Sequence, residues 1–252
     1  MALSFRQGEI LEIARSEGRV VVEDLAARFS VTLQTIRRDL GELAEAGLLD
    51  RVHGGAVVRA GVANTAWAER QRQNLEAKAA IAAACAALIP DNSSLILNIG
   101  TTTEAVARAL LGHRNLTVVT NNLNIANILA QNESCEVMVA GGALRRADGG
   151  LVGELTTQFF EQFKVDLAVI GCSAVDADGD LLDFDLAEVR VARTILRQAR
   201  RRLVVADASK LSRHAPVRLG SLSELDGIVT DQPLPEALAK ACEGWGTEVY
   251  LA

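Results

Sequence analysis

Seven short apolar runs constrain this chain most: Leu95–Ile99, Leu116–Thr120, Val137–Ala140, Val165–Gly171, Leu203–Ala206, Gly227–Thr230 and Glu248–Leu251. Each is the length of a strand, and most are followed by a polar turn and then a stretch of helical spacing. The helical stretches are Ala77–Ile89, from Gly100 to about Leu111, from Asn122 to about Gln131, Glu154–Phe163, Leu186–Arg201 and Pro235–Cys242. Runs that are apolar throughout, alternating with helices, predict a mainly parallel sheet covered on both faces, an α/β domain. Nearly half of the 252 residues are apolar, 49% by count, so a core of that size is within reach.

The first 58 residues follow a different pattern. Phe5–Glu17 reads as a helix with Ile10, Ile13 and Ala14 inward. Val21–Phe29 reads as a second, with Leu25, Ala26 and Phe29 on one face. Ser30-Val31 makes a tight turn into Val31–Leu43, where Ile36, Leu40 and Leu43 recur at helical spacing. Thr32 is the expected N-cap, accepting from the free N–H groups of the first turn. Gln34, Thr35, Arg37 and Arg38 fall off the apolar stripe and face outward. Gln and Arg read base edges, and Thr and Arg bind phosphate. Leu48–Val52 and Ala56–Val58 flank His53-Gly54-Gly55 as a small hairpin, or wing, with Arg51 on its first strand. Helix, turn, helix and wing predict a DNA reader in which Thr32, Gln34, Thr35, Arg37, Arg38, Arg51, His53 and Gly54 meet the duplex. Residues 59–75 are polar, contain Gly61 and lack periodicity, so they are read as a linker. The expected organisation is 1–58, a winged helix-turn-helix domain; 59–75, a linker; and 76–252, the α/β domain.

Charge alone does not announce a nucleic-acid binder. The net charge is −6, and residues 1–62 hold eight Arg against nine Asp and Glu. Recognition must rest on where the charge sits, and a reader this weakly charged is expected to act as a symmetric dimer or tetramer. No apolar run reaches the ~18 residues of a membrane span. The N-terminus is amphipathic rather than a signal peptide, so no membrane partner and a cytoplasmic location are expected. The four cysteines, Cys85, Cys135, Cys172 and Cys242, are far apart in apolar stretches and read as buried thiols, not metal ligands. Neither G-x-x-x-x-G-K-[ST] nor G-x-G-x-x-G occurs, so no nucleotide, other cofactor or metal is expected. Asp176, Asp178 and Asp180 around Gly179 lack the spacing of a calcium loop and read as a turn between two strands. Arg200–Arg202 reads as the cationic end of a helix.

Open parallel sheets bind ligands beyond the carboxyl ends of their strands. Here those ends carry Asn98 and Gly100-Thr101-Thr102-Thr103, then Asn121-Asn122, Gly141-Gly142, Gly171-Cys172-Ser173, and Asp207 to Lys210. Glycine and hydroxyls at a helix N-terminus make an anion site. The expected ligand is a small phosphorylated, hydroxyl-bearing molecule. Gly100 to Thr103 hold the phosphate, Asn98, Asn121 and Asn122 bond hydroxyls, Gly141, Gly142 and Arg145 line the rim, and Lys210 supplies charge.

TIRRDL followed by HGGA resembles the DNA-binding domain of the DeoR family of bacterial regulators. NIGTTTEAVARALL, LTVVTNNLNIAN, VAGGALRRADGGLVGE, FKVDLAVIGCSAVDADGDLLDFDLAEVR and VADASK are similar to the sugar-phosphate-sensing domain of the same family. Where the family usually has Ser this chain has Thr32, and where many members carry Asp it has Asn98. The resemblance implies a transcriptional repressor that binds operator DNA as a homo-oligomer. The runs DGGLVGE, LLDFDLAEVR and NTAWAER are similar to family members that govern glycerol 3-phosphate metabolism, which makes glycerol 3-phosphate the implied releasing ligand. The family's sensor resembles ribose-5-phosphate isomerases in fold, so the alternative is an isomerase carrying a DNA-binding domain. Glu104, Asp183 and Lys210 are its candidate catalytic groups, though no pattern joins them in one arrangement.

Overall fold

The computed structural model describes residues 4–17, 19–46, 48–52, 54–58 and 67–252. These divide into two compact units, with the boundary near Ala63.

The N-terminal unit holds α1 (Phe5–Glu17), β1 (Arg19–Val21), α2 (Val22–Phe29), α3 (Leu33–Glu45), β2 (Leu49–Val52) and β3 (Gly55–Val58). Its core is Ile10, Leu11, Ala14, Val20, Val22, Leu25, Ala26, Ile36, Leu40, Leu43, Leu49 and Ala56. The two helices, their turn and the hairpin stand where the periodicity placed them. The turn works because Ser30 adopts a left-handed conformation, φ 52°, and its N–H closes the end of α2. The wing has a third strand that the sequence did not suggest. The three-residue β1 pairs antiparallel with β3, in register Val20↔Ala56. That pairing explains the glycine pair. Gly54 takes φ 78° at the hairpin tip. Gly55 lies against β1 so closely that a Cβ would sit 1.9 Å from the Val20 carbonyl oxygen.

The second unit begins within the stretch expected as linker. Residues 64–66 lie outside the described residues, but α4 (Trp67–Arg72) is a helix of this unit, followed by α5 (Leu75–Ala87). Then come β4 (Ser94–Leu97), α6 (Thr101–Ala109), β5 (Leu116–Thr120), α7 (Leu123–Leu129), β6 (Cys135–Val139), β7 (Ala143–Arg145), β8 (Gly150–Val152), α8 (Glu154–Phe160) and β9 (Val165–Ile170). The chain continues through β10 (Ala174–Val175), β11 (Asp180–Asp183), α9 (Leu186–Arg197), β12 (Ala199–Val205), β13 (Val217–Ser221), β14 (Gly227–Thr230), α10 (Glu236–Trp245) and β15 (Glu248–Leu251).

Seven of these strands form one parallel sheet in the order β15-β14-β12-β9-β4-β5-β6. Alternate residues of each strand face opposite cores. Ile96, Val119, Ala168, Ile170, Val204 and Ile228 pack with Phe160 of α8, Val189, Ala192 and Ile195 of α9, and Leu238 and Cys242 of α10. Leu95, Leu97, Val118, Leu167, Val169, Leu203, Val205 and Val229 pack with Ile81 and Cys85 of α5, Val106 of α6, and Ile125 and Leu129 of α7. No helix among the described residues is long and apolar enough to cross a membrane.

Arg200–Arg202 does not end a helix. α9 stops at Arg197, and the three arginines lie on β12, where Arg202 bonds Asp226 and Arg201 reaches Tyr250. Asp176–Gly179 does turn the chain between β10 and β11, and β13 completes a small antiparallel sheet that the sequence did not suggest.

Arg145, expected at the pocket rim, is a tie between elements. Its guanidinium reaches Asp148 at 2.5 Å, Asp185 at 2.8 Å and Glu188 at 2.6 Å, holding the β7–β8 hairpin to the start of α9. Burial opposes its charge, yet the bonds and charges of Asp148 and Glu188 hold its pKa above the ordinary value. Three carboxylates around one cation leave a surplus of negative charge. Burial first, and then the charge of Asp183, push Glu188 from 4.5 up to about 7 against the pull of Arg145.

Two outcomes test this packing. Gly55→Ala should cost the N-terminal unit about 1–3 kcal/mol, because its Cβ meets backbone. Gly41→Ala, inside α3 with nothing within 4 Å of the added Cβ, should raise stability by roughly 0.5–1 kcal/mol. Calorimetric melting of both variants distinguishes them. Glu188 binds its proton more tightly folded than unfolded. The stability it contributes is therefore fully present below about pH 4.5 and is lost as pH rises through about 7. Asp185 is held low by the Ala187 N–H and Arg145 although burial opposes this, so its contribution is lost only as pH falls below 3.8. Melting temperature against pH should decline between pH 4.5 and 7, and Glu188→Gln should remove most of that decline; an unchanged slope contradicts the assignment.

Candidate DNA interface and ligand crevice

In α3, Thr32 is the N-cap, its Oγ1 accepting from the Thr35 N–H at 3.2 Å and sharing a hydrogen bond of 2.9 Å with the Thr35 hydroxyl. That fixes Thr32 and Thr35 as a pair at the helix start. Gln34, Arg37 and Arg38 are exposed, as the stripe requires. Arg38 Nε donates to Glu42 Oε1 at 3.0 Å on the helix surface. Asp39 is buried and bonded at 2.6 Å by Arg6 of α1, which orients α3 on its own domain. Arg51 on β2 is exposed and Gly54 forms the wing tip; His53 lies outside the described residues.

In the second unit the sheet itself makes the crevice. From β4 the chain moves outward through β5 and β6, then returns to β9 on the other side of β4. The two directions part beyond the carboxyl ends of β4 and β9, the switch point where open sheets bind ligands. Leu97 is in register with Thr120 on one side and Val169 on the other, which sets Asn98 beside Asn121.

The Gly100 loop, where a phosphate is expected, opens α6. Gly100 caps α6 with φ 157°, and the N–H groups of Thr101, Thr102 and Thr103 open the helix. The Thr103 hydroxyl is not available to a ligand: it donates to the Asn98 and Gly100 carbonyls at 2.7 and 2.8 Å and shapes the loop. Those of Thr101 and Thr102 have no such internal bond among the described residues. Gly142, φ 141°, is explained by packing, since a Cβ there would lie 2.1 Å from the Thr156 hydroxyl, which itself donates to the Gly141 carbonyl. Asn122 caps α7 through the Asn124 N–H at 2.8 Å, so its oxygen is engaged.

Four buried polar atoms lack any hydrogen-bond partner among the described residues: Asn98 Oδ1, Asn121 Oδ1, Glu104 Oε2 and Arg70 Nε. Asn98, Asn121 and Glu104 are 1, 0 and 0% exposed. An unsatisfied buried group typically costs about 1–3 kcal/mol. Asn98 Oδ1, Asn121 Oδ1 and Glu104 Oε2 are three such acceptors at one end of the sheet. Sequence reasoning found the two asparagines as site residues and weighed Glu104 only as a catalytic group. It missed Arg70, because α4 reads as linker.

Lys210 lies in the 3-10 turn Ala208–Ser212 after β12, where its charge helps hold Asp207 below the usual carboxylate range although burial opposes this. Asp207 also accepts from the Asn74 side chain at 3.0 Å and from the Ser209 N–H at 3.1 Å. Asp183 stands beside the end of β9. Burial raises its carboxyl against the N–H of Phe184, the Ser173 hydroxyl and the charges of Arg70 and Arg145. Burial pushes the Cys172 thiol up to about 12, which leaves it no thiolate for nucleophilic chemistry near neutrality.

Comparison with known proteins agrees with both halves of this description. A model of the DeoR-like helix-turn-helix domain matches residues 6–60, and one of the DeoR C-terminal sensor domain matches residues 73–232. The chain is 47% identical over 230 residues to the glycerol-3-phosphate regulon repressor of Escherichia coli, covering 91% of each chain. It is 45% identical over 251 residues to the glycerol-3-phosphate regulon repressor of Haemophilus influenzae, covering 100% of this chain and 98% of that one. Among solved structures, ribose 5-phosphate isomerase A from Methanocaldococcus jannaschii aligns with a TM-score of 0.41 at 16% identity, over 55% of each chain. The chain belongs to the DeoR family of DNA-binding transcriptional repressors.

Proposed function

We propose that this repressor is released from its operator by a small phosphorylated polyol, glycerol 3-phosphate, bound at the switch point of the sheet. The observation that carries the reading is the pair of buried, unpartnered acceptors Asn98 Oδ1 and Asn121 Oδ1, next to an open helix N-terminus. The N-terminus of α6, with the hydroxyls of Thr101 and Thr102, suits a phosphate. The two asparagine oxygens suit the hydroxyls of its carbon chain, and Lys210 adds positive charge near the crevice. The relatives named for the glycerol-3-phosphate regulon favour this ligand over a larger sugar phosphate. The site is read as one that binds rather than catalyses: the relatives at 45–47% identity are named as repressors, and the protonated Cys172 thiol offers no nucleophile. The protein acts in the cytoplasm as a symmetric oligomer, reading half-sites about one helical turn, or a multiple of it, apart.

Induction requires that the ligand favour the DNA-free protein, and by linkage DNA then lowers ligand affinity by the same factor. An operator selected from random duplexes by the wild-type protein provides the probe. Arg37→Ala should weaken operator binding by about 1–3 kcal/mol and leave glycerol 3-phosphate affinity unchanged in calorimetry. Thr101→Leu should keep operator affinity and lose release by glycerol 3-phosphate. Full ligand affinity in the Thr101 variant would move the phosphate elsewhere. Wild-type operator affinity and salt dependence in the Arg37 variant would remove α3 as the reader. Sedimentation of the full chain should give a dimer or tetramer at micromolar concentration, and a monomer there would overturn the symmetric reading.

A further inference from the structure

The helix α4 is six residues long, and it is held by one bond to Glu104 and one from Lys78. Trp67 Nε1 donates to Glu104 Oε1 at 3.2 Å. Arg70, one turn later and so on the same side of the helix, bears electrostatically on Asp183 beside the end of β9. The ammonium of Lys78, a 5% exposed side chain of α5, donates to the Arg70 carbonyl and, at 2.7 Å, to that of Gln73. The helix is thus tied at Trp67 to α6 beside the carboxyl end of β4 and at Arg70 to the start of α5.

Glu104 is bonded unevenly. Its Oε1 takes Trp67, Asn122 at 3.3 Å and Asn124 at 3.0 Å, while Oε2 is fully buried and has nothing. A carboxylate serving only to tie these side chains together has no need to place one oxygen where no donor reaches it. On the helix above, Arg70 Nε is a buried donor without an acceptor. A hydroxyl group answers both, because it donates through its proton and accepts through its oxygen.

We propose that α4 completes the effector site, with Glu104 Oε2 accepting from a ligand hydroxyl whose oxygen accepts from Arg70, and with Trp67 positioning Glu104. This rests on the reading of the crevice as a site for a phosphorylated polyol, and adds that the site distinguishes a polyol phosphate from a plain alkyl phosphate through these residues. Asn98 and Asn121 belong to the strand-end floor. Glu104 and Arg70 meet the ligand from the helix side, and neither is needed to hold the phosphate.

The test is calorimetry of the full-length protein with two probes, glycerol 3-phosphate and n-propyl phosphate, which share the phosphate and differ in the hydroxyls. The wild type should favour glycerol 3-phosphate by at least about tenfold, the range of hydrogen bonds to charged groups. In Glu104→Gln the amide oxygen stays with Trp67, Asn122 and Asn124, and its NH2 is turned against the ligand's O–H. Affinity for glycerol 3-phosphate should fall about 10- to 100-fold, with n-propyl phosphate unchanged. Arg70→Met, at a partly exposed position, should show the same selective loss and covers the case in which the buried Glu104 variant does not fold. Trp67→Phe should give a smaller selective loss. If the Glu104 and Arg70 variants keep the wild-type preference, or lose both probes equally, the inference fails and the phosphate reading stands. A wild type that binds neither probe overturns the polyol-phosphate reading and this one with it.

Discussion

The pairing of β4 with β5 on one side and β9 on the other is the constraint on which the sensor domain depends. A strand hydrogen-bonded in parallel on both edges must be apolar on both faces, and Leu95, Ile96 and Leu97 are all fully buried. Because the chain departs from β4 in one direction and returns on the other, the loops at its carboxyl end diverge at the switch point of the sheet. Asn98 is the first residue past that strand, so the backbone that fixes the core also fixes the first polar group of the site. Its N–H is still tied to Val169 while its side-chain oxygen has no partner among the described residues.

Much of this is legible in the sequence, because the period of the apolar residues reports burial directly. The helix-turn-helix is legible for a second reason, that Thr32 and Gly54 carry local chemistry that does not depend on distant residues. What escaped depends on contacts between segments far apart. β1 is three residues long and exists because β3 can accept it at Gly55, a match that pattern alone does not contain. Arg200–Arg202 carries the charge of a helix end but lies on a strand whose other residues, Leu203 to Val205, are inside the sheet. Tertiary pairing with β9 and β14 overrode the local signal. α4 looked like linker because its composition is polar; its reasons are single bonds, to Glu104 and from Lys78, to partners remote in sequence.

The candidate site was legible at a coarser level. Glycines and hydroxyls after a strand can serve a ligand or the fold, and sequence does not separate the two. The structure assigns Thr103 and Gly142 to the fold, and it gives Arg145 to Asp148, Asp185 and Glu188. The residues that stand out for a ligand are those with buried atoms left unbonded, a property of three-dimensional arrangement. Hence Asn98 and Asn121 were named from their places at strand ends, whereas Arg70 was not.

The reading helix raises the opposite question, how a chain of net charge −6 approaches a polyanion. Two acids beside the exposed face of α3 have partners. Asp39 is closed off by Arg6 in the interior, and Glu42 takes Gln7 and Arg38 on the surface. Arg37 meets solvent with no ion pair among the described residues. Arg38 is 81% exposed and its pair with Glu42 belongs to a class worth about 0–1 kcal/mol. A contact that weak leaves the Arg38 guanidinium able to exchange Glu42 for another anion at small cost. The Arg6–Asp39 bond differs in being partly buried, and so holds α3 on its own domain. A small number of arginines exposed on one capped helix places the positive charge of this unit by geometry rather than by total charge.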